Sequence, residues 1–452
     1  MSSSSNKELF IKEREGDISQ FYEFQEPPIG EGAFGVVYKG VDKLSKEFRV
    51  IKKIAKSKIR NPQRFFNEIT ALKTLDHPNV IKLYESFEDD YDVFLVQEFC
   101  DDGELFDYIV EKDHLTEFEA AALFKEILLS LIYCHKNKIC HRDLKPENFM
   151  LSKTSEGITV KLIDFGLSRS FYKIENTGKD TLMRMKTKVG TAFFMAPEVI
   201  LKDYTNSCDM WSAGCILYIM LSGYPPFDGE SEKEIYDCII KGEYDFEDDI
   251  WNDVSDEAKK FIKKLLCGEK HRMSAKKALK HWWISNNIEK SSGKALSDIH
   301  MNRLKNFTTK KKLKQTILTF MASRVTDEEI KEQTKVFHEL DNNNDGYITT
   351  KELTKALEGR YSGEEIKEIM DSVDTDKNGA INFNEFIAAT FEPMYTKDIS
   401  KVRNDILQHM IFQHFVKSTL NIRSWKDACF NIVLWIAHLF IVSKFVLSLS
   451  NY

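Results

Sequence analysis

His141-Arg142-Asp143-Leu144-Lys145-Pro146-Glu147-Asn148, followed by Asp164-Phe165-Gly166, decides how this chain is read. Its polar residues stand at spacings that a phosphate and metal site imposes and that a packed core would not require. In such a set Asp143 is placed to accept the proton of an attacking hydroxyl and Lys145 to neutralise a transferring phosphoryl group. Asn148 and Asp164 are placed to hold magnesium against the phosphates. Phosphoryl transfer demands this arrangement because its transition state is stabilised by positioning and countercharge, with little covalent chemistry for the protein to perform.

Upstream lies Gly30-Glu31-Gly32-Ala33-Phe34-Gly35, a spacing shared with dinucleotide folds and weak on its own. The residues after the glycines separate the two, since a dinucleotide site opens a helix at that point. Here Val36-Val37-Tyr38-Lys39-Gly40-Val41 is β-branched and aromatic, predicting a second strand and a glycine hairpin that closes over phosphates. Arg49-Val50-Ile51-Lys52 predicts a strand ending in a lysine for the α- and β-phosphates, anchored by Glu68 on a following helix. Taken singly, Lys52 and Glu68 read equally as solvated surface charges.

Downstream, Lys188-Val189-Gly190-Thr191 leads to Ala196-Pro197-Glu198, then Asp209-Met210-Trp211-Ser212-Ala213-Gly214 and Arg272. With these motifs residues 21–288 resemble a eukaryotic protein kinase, and Lys145 resembles the serine/threonine type. The resemblance implies an α+β, bilobal fold in which ATP is bound by Gly30, Gly32, Gly35, Val37, Lys52, Glu98, Cys100, Glu104, Asn148 and Asp164. It further implies that Gln97 is the gatekeeper, that Glu198 pairs with Arg272, that Asp209 braces the catalytic loop, and that Thr191 contacts Asp143 and Lys145. Thr187 falls where an activating phosphate often sits, with Arg142 to receive it. Val50 stands where alanine is more usual and narrows the adenine slot slightly. Glu104 and Glu147 match acids that bind an arginine upstream of the phosphoacceptor; a ribose contact and a surface acid are the even alternative.

Two later loops carry a different chemistry. Asp341, Asn343, Asp345, the carbonyl of Tyr347, Thr349 through water and Glu352 form one set of oxygen ligands, with Gly346 at the sharp turn. Asp374, Asp376, Asn378, the carbonyl of Ala380, Asn382 and Glu385 form the second, with Gly379 at the turn. Calcium takes six to eight oxygens, which alternating carboxylates and amides with a terminal bidentate glutamate provide. Ile348 and Ile381 occupy the position that joins two such loops through a short strand, predicting one all-α EF-hand pair.

Charge divides at the junction. Residues 299–326 hold seven Lys or Arg and no acid, whereas 327–392 hold 17 acids against 7 bases, so the segments should attract. Leu313, Ile317, Phe320 and Met321 form one helical stripe, and Leu304, Phe307 and Leu318 another. A basic helix with two apolar faces can meet the substrate cleft and a calcium-opened groove; an ordinary bridging helix is the plainer reading. The order of kinase, basic junction and EF-hands resembles the calcium-dependent protein kinase family of plants and protists over residues 21–415. That family usually carries four EF-hands, and Val416-Lys417-Ser418-Thr419 offers no alternating acids where a third loop should begin, so the second lobe is expected to be missing.

The expected organisation is a polar extension (1–20), a kinase domain (21–288), a basic autoinhibitory junction (289–325), an EF-hand pair (326–392) and a divergent tail (393–452). Residues 428–449 are apolar but interrupted by Asn431, His438 and Lys444, and about 20 largely apolar residues are needed to span a bilayer. A membrane anchor, a helix packed on the calcium lobe and a reading-frame artefact are the three readings of that segment. Eight scattered cysteines without a C-x-x-C pair fit a reducing, cytoplasmic location, and a net charge of −7 argues against nucleic-acid binding. The expected activity is calcium-regulated transfer of the ATP γ-phosphate to Ser/Thr hydroxyls of protein substrates, with calcium relieving autoinhibition. The rivals are a kinase not governed by its own EF-hands and a calcium-binding scaffold.

Overall fold

The computed structural model describes residues 12–32, 35–59, 62–154, 157–174, 180–288, 303–304, 318–319, 322, 325, 327–357 and 361–390. Alternating β-branched and aromatic residues build a six-stranded sheet in the order β1-β5-β6-β4-β3-β2. The strands are β1 (Lys12–Glu15), β2 (Tyr22–Gly32), β3 (Gly35–Asp42), β4 (Phe48–Ala55), β5 (Leu83–Glu88) and β6 (Asp92–Glu98), and only β1 with β5 is parallel. Helix α1 (Pro62–Thr74) follows β4. The register sets the cleft: Gly32 lies opposite Gly35, Val37 opposite Lys52, and Val50 opposite Gln97.

The larger lobe is helical: α2 (Leu105–Lys112), α3 (Glu117–Lys136), α4 (Pro197–Ile200), α5 (Ser207–Ser222), α6 (Glu232–Lys241), α7 (Asp256–Leu265), α8 (Ala275–Leu279) and α9 (Trp282–Asn287). Thr116 and Glu119 form a reciprocal capping box that starts α3, and Gly223 in the left-handed region ends α5. Helix α5 is buried along its whole length, as its nearly uninterrupted apolar sequence requires. Between α3 and α4 the chain forms β7 (Ile139–Cys140), β8 (Phe149–Thr154), β9 (Gly157–Leu162), β10 (Arg169–Ser170), β11 (Tyr172–Ile174) and β12 (Asp180–Leu182). The antiparallel β8–β9 pair and the β7–β10 pair flank the catalytic loop.

A second apolar core belongs to α10 (Lys331–Leu340), α11 (Thr350–Leu357), α12 (Gly363–Val373) and α13 (Phe383–Thr390). Strands β13 (Tyr347–Thr349) and β14 (Ala380–Asn382) pair antiparallel, setting Ile348 opposite Ile381 as the spacing of the two loops predicts. Leu304 and Leu318 of the junction are buried in this core, so that stripe faces the calcium lobe. Arg303 donates to the Thr390 carbonyl and Asn384 to the Thr319 carbonyl, which fastens the two segments. The other stripe (Leu313, Ile317, Phe320, Met321), together with Phe307 and most of the basic residues, lies outside the described residues, as do 391–452. Among the described residues no helix is long and apolar enough to cross a membrane.

Candidate active site and calcium loops

The glycine hairpin needs its glycine at residue 35, because a Cβ there would fall 1.9 Å from the Lys53 carbonyl oxygen of β4. Gly30 faces Val37 across the hairpin, while Ala33 and Phe34 lie outside the described residues. Lys52 Nζ stands 3.8 Å from Asp164 Oδ1 across the cleft. Glu68 lies within α1, but its side chain is outside the described residues. At the back of the cleft Glu98 accepts from the Lys82 amide at 3.2 Å and from Lys161 Nζ at 3.0 Å. Cys100 is buried, which pushes its thiol far above the ordinary range and leaves it inert as a nucleophile.

The catalytic loop is held from below. Asp209, fully buried at the start of α5, accepts from the amides of His141 at 3.0 Å and Arg142 at 2.9 Å, and bonds His135 Nε2 at 2.8 Å. Burial alone would raise its pKa, but His135, His141 and the Arg142 amide outweigh it and hold the carboxyl below the usual range. Arg142 takes a left-handed conformation (φ 71°), a sharp turn in the loop just before Asp143. Asp143 Oδ1 accepts from the Thr191 amide at 2.9 Å and the Thr191 hydroxyl at 3.0 Å. Asn148 Nδ2 donates to the Asp143 carbonyl at 2.6 Å, which leaves its own amide oxygen for a cation.

Burial pushes Asp164 toward the neutral acid, but Lys52, the Gly166 amide, His141 and Lys145 together depress its pKa. An ionised carboxylate beside an amide oxygen fits magnesium, a hard cation that prefers few protein oxygens plus phosphate. The activation segment is pinned by Arg272, whose two terminal nitrogens meet both carboxylate oxygens of buried Glu198. Arg142 reaches the Thr187 hydroxyl at 3.1 Å and the Tyr204 hydroxyl at 3.2 Å. Glu104 precedes α2 and has a raised pKa, first from burial and then from Asp107 and Glu147. Glu147 itself carries a buried carboxylate oxygen with no hydrogen-bond partner and lies 4.0 Å from Lys145.

Both calcium loops are folded as their ligand spacing predicts. Asp341 accepts from the amides of Asp345 and Gly346, and Glu352 from those of Asn343 and Thr349. In the second loop Asp374 accepts from the Asn378 and Gly379 amides and Glu385 from those of Thr375, Asp376 and Asn382. Asp374, Asp376 and Glu385 each offer a carboxylate oxygen within 4.8 Å of the others. Burial and mutual repulsion push Asp341 and Glu385 up to about 7 and Asp376 to about 6. Such crowding is relieved by a hard cation, so these residues fit calcium. Thr349, the water-mediated position, turns its hydroxyl to Glu352 at 2.6 Å.

Sequence reading anticipates Asp209, Thr191 and the Glu198–Arg272 pair as supports but misses His135, which bonds Asp209. His135 is invisible because a histidine near a helix end carries no motif. The seat of the calcium lobe on the kinase is equally silent: Tyr347 stacks on Tyr133 with ring centres 5.7 Å apart and donates to Asn137 at 3.0 Å. Buried His77 and half-buried His338 meet at the same junction with ring centres 6.2 Å apart, and desolvation pushes His338 down to about 4.

A family model of the protein kinase domain matches residues 23–284, and one of the EF-hand domain pair matches residues 330–391. The chain is 40% identical over 387 residues to calcium-dependent protein kinase 3 of Plasmodium yoelii yoelii, covering 85% of this chain and 71% of the relative. It is 38% identical over 397 residues to calcium-dependent protein kinase 10 of Arabidopsis thaliana (86% and 70%), and 37% identical over 383 residues to calcium-dependent protein kinase 5 of Plasmodium falciparum (83% and 66%).

Proposed function

Since the chain belongs to the calcium-dependent protein kinase family, we propose that Asp143, Lys145, Lys52, Asn148 and Asp164 carry its reaction and that the two EF-hand loops govern it. The protein is a calcium-regulated serine/threonine kinase that uses ATP, magnesium and calcium. The finer assignments rest on one observation above the others: the Asp143 carboxylate is fixed by two hydrogen bonds from Thr191, while Lys52 and Asp164 pair at 3.8 Å.

In this reading Asp143 orients the substrate hydroxyl and takes its proton as the oxygen attacks the γ-phosphorus, while the bond from that phosphorus to the β–γ bridging oxygen breaks and ADP leaves. Lys145, two residues along the same loop, meets the charge of the moving phosphoryl group. Lys52 holds the α- and β-phosphates, and Glu68 steadies Lys52. Asn148 and Asp164 would hold magnesium, which would supply further countercharge. The Gly30–Gly35 hairpin covers the phosphates and excludes water, with the hinge at Glu98 and Cys100 receiving the adenine.

An upstream arginine on the substrate is part of the proposal, supported by the unpartnered, buried oxygen of Glu147 beside Glu104. Autoinhibition by the junction is supported by Leu304 and Leu318, which bind the segment to the calcium lobe so that a change in that lobe must move it. A cytoplasmic location agrees with the seven free cysteines among the described residues. Phosphate transfer from labelled ATP to a Ser/Thr peptide, with calcium and with chelator, tests the whole. Equal rates in the two conditions would remove calcium control, and no transfer in either would remove the residue roles.

A further inference from the structure

The first calcium loop is met by the kinase domain, two of whose lysines reach its ligand atoms. Lys136, at the end of α3, places Nζ 2.6 Å from Asp345 Oδ2. Lys276, in α8, donates to Asn343 Oδ1 at 3.1 Å. Asn343 donates through Nδ2 to Glu352 Oε1 at 2.9 Å, so the side-chain oxygen that calcium would take is the one turned to Lys276. These are the third and fifth positions of the loop. At the seventh, the Tyr347 ring lies against Tyr133 and under the Lys136 ammonium, 4.3 Å from the ring centre. Gly346 packs so closely that a Cβ would sit 2.2 Å from the Tyr133 ring. The second loop differs: among the described residues the side-chain hydrogen bonds of Asp374, Asp376, Asn378 and Glu385 are all made within that loop.

We propose that Lys136 and Lys276 compete with calcium for the first loop, so that the kinase domain lowers the affinity of that loop and leaves the second unaffected. The inference rests on both loops being calcium sites. An ammonium on a ligand oxygen must leave, or share it, before a divalent cation is coordinated there, and the cost appears as weaker binding. Because coupling is reciprocal, filling the first loop weakens the grip of α3 and α8 on the lobe by the same factor. The second loop is therefore filled first, and the first loop reports whether the lobe is seated on the kinase.

Calorimetric calcium titration of the full chain carrying Glu385→Gln isolates the first loop, and Glu352→Gln isolates the second. In the first background, Lys136→Met with Lys276→Met should tighten binding about three- to tenfold, the size expected of two partly exposed pairs. In the second background the same pair of changes should leave affinity unchanged. Lys351→Met removes one positive charge, against two in the double variant, from the exposed start of α11 and should change affinity at the first loop by less than about twofold. Lys136→Arg with Lys276→Arg keeps both charges and should hold the parent affinity, and thermal unfolding in chelator checks that each variant is folded. Unchanged or weaker binding in the methionine variant, or an equal gain from Lys351→Met, would overturn the competition. Absence of calcium binding in every chain would overturn the calcium assignment itself, and the competition with it.

Discussion

Asp327 Oδ2 at the entrance to the calcium lobe lies 2.6 Å from Lys161 Nζ in strand β9 of the kinase domain. The same ammonium meets Glu98 Oε1 at 3.0 Å and donates to the Pro78 carbonyl at 3.0 Å, with a side chain only 3% exposed. Burial would pull Lys161 down, but Asp327 and Glu98 outweigh it and its pKa stays well above the ordinary value. A single buried charge thus ties strand β6 of the kinase domain to the calcium lobe.

Removing that charge should be costly, because two carboxylates would be left facing each other. We expect Lys161→Met to lower stability by about 3 kcal/mol, the usual cost of orphaning a buried partner. Asp327→Asn should cost about 1 kcal/mol or less, since Asp327 is 26% exposed and Glu98 still balances the lysine. Denaturant unfolding followed by circular dichroism measures both. Equal losses for the two variants would show that Asp327, not Glu98, is the main counterion.

Thr191 offers a test of positioning at the reaction centre. Both of its donors meet Asp143 Oδ1, so Thr191→Val loses the hydroxyl bond while keeping the amide and the side-chain volume. Turnover should fall about ten- to a hundredfold with little change in KM for ATP, and Thr191→Ser should restore most of it. Asp143→Asn should lose several orders of magnitude in the same peptide assay while the melting temperature stays near that of the parent chain. A Thr191→Val enzyme of normal turnover would mean that the amide alone fixes the carboxylate.

The calcium switch has its own prediction. Glu352 and Glu385 close their loops, each accepting from amides of the same loop. Glu352→Gln with Glu385→Gln should abolish calcium stimulation of peptide phosphorylation and leave the rate in chelator unchanged. Deletion of everything from residue 299 onward should raise the chelator rate toward the calcium-stimulated one. A truncated kinase no faster than the full chain in chelator would exclude restraint by the junction.

How far a site is legible in sequence depends on how it is specified. A phosphate or calcium ligand set lies within a short stretch of chain and is fixed by ion chemistry, so Asp143 to Asn148 and Asp341 to Glu352 declare themselves. The strand after Gly32–Gly35 is legible too, because β-branched residues beyond the glycines exclude a helix. The seating of the lobe is not. Lys161 with Asp327, and Asn137 with Tyr347, lie far apart in sequence and follow no period, so tertiary packing alone brings them together. Two apolar stripes on the junction are visible in the sequence, but which one meets the calcium lobe emerges only from the burial of Leu304 and Leu318.

Protons should leave when calcium arrives. Asp341 and Glu385 sit at about 7 and Asp376 at about 6, in each case chiefly through burial, whereas exposed carboxyls titrate near about 4. In the calcium-free fold these raised values favour the protonated lobe, so their stabilising contribution is complete below about pH 4 and is lost as pH rises through 7. Calcium needs the ionised carboxylates and so works in the opposite sense, binding more tightly as pH rises from about 6 to 8. Near pH 6.5 calorimetric titration in buffers of different ionisation enthalpy should reveal release of roughly one proton per calcium bound. Glu385→Gln should remove the share belonging to the second loop. A binding heat independent of buffer, with affinity flat across that range, would show that the loop carboxylates are already ionised before the ion enters.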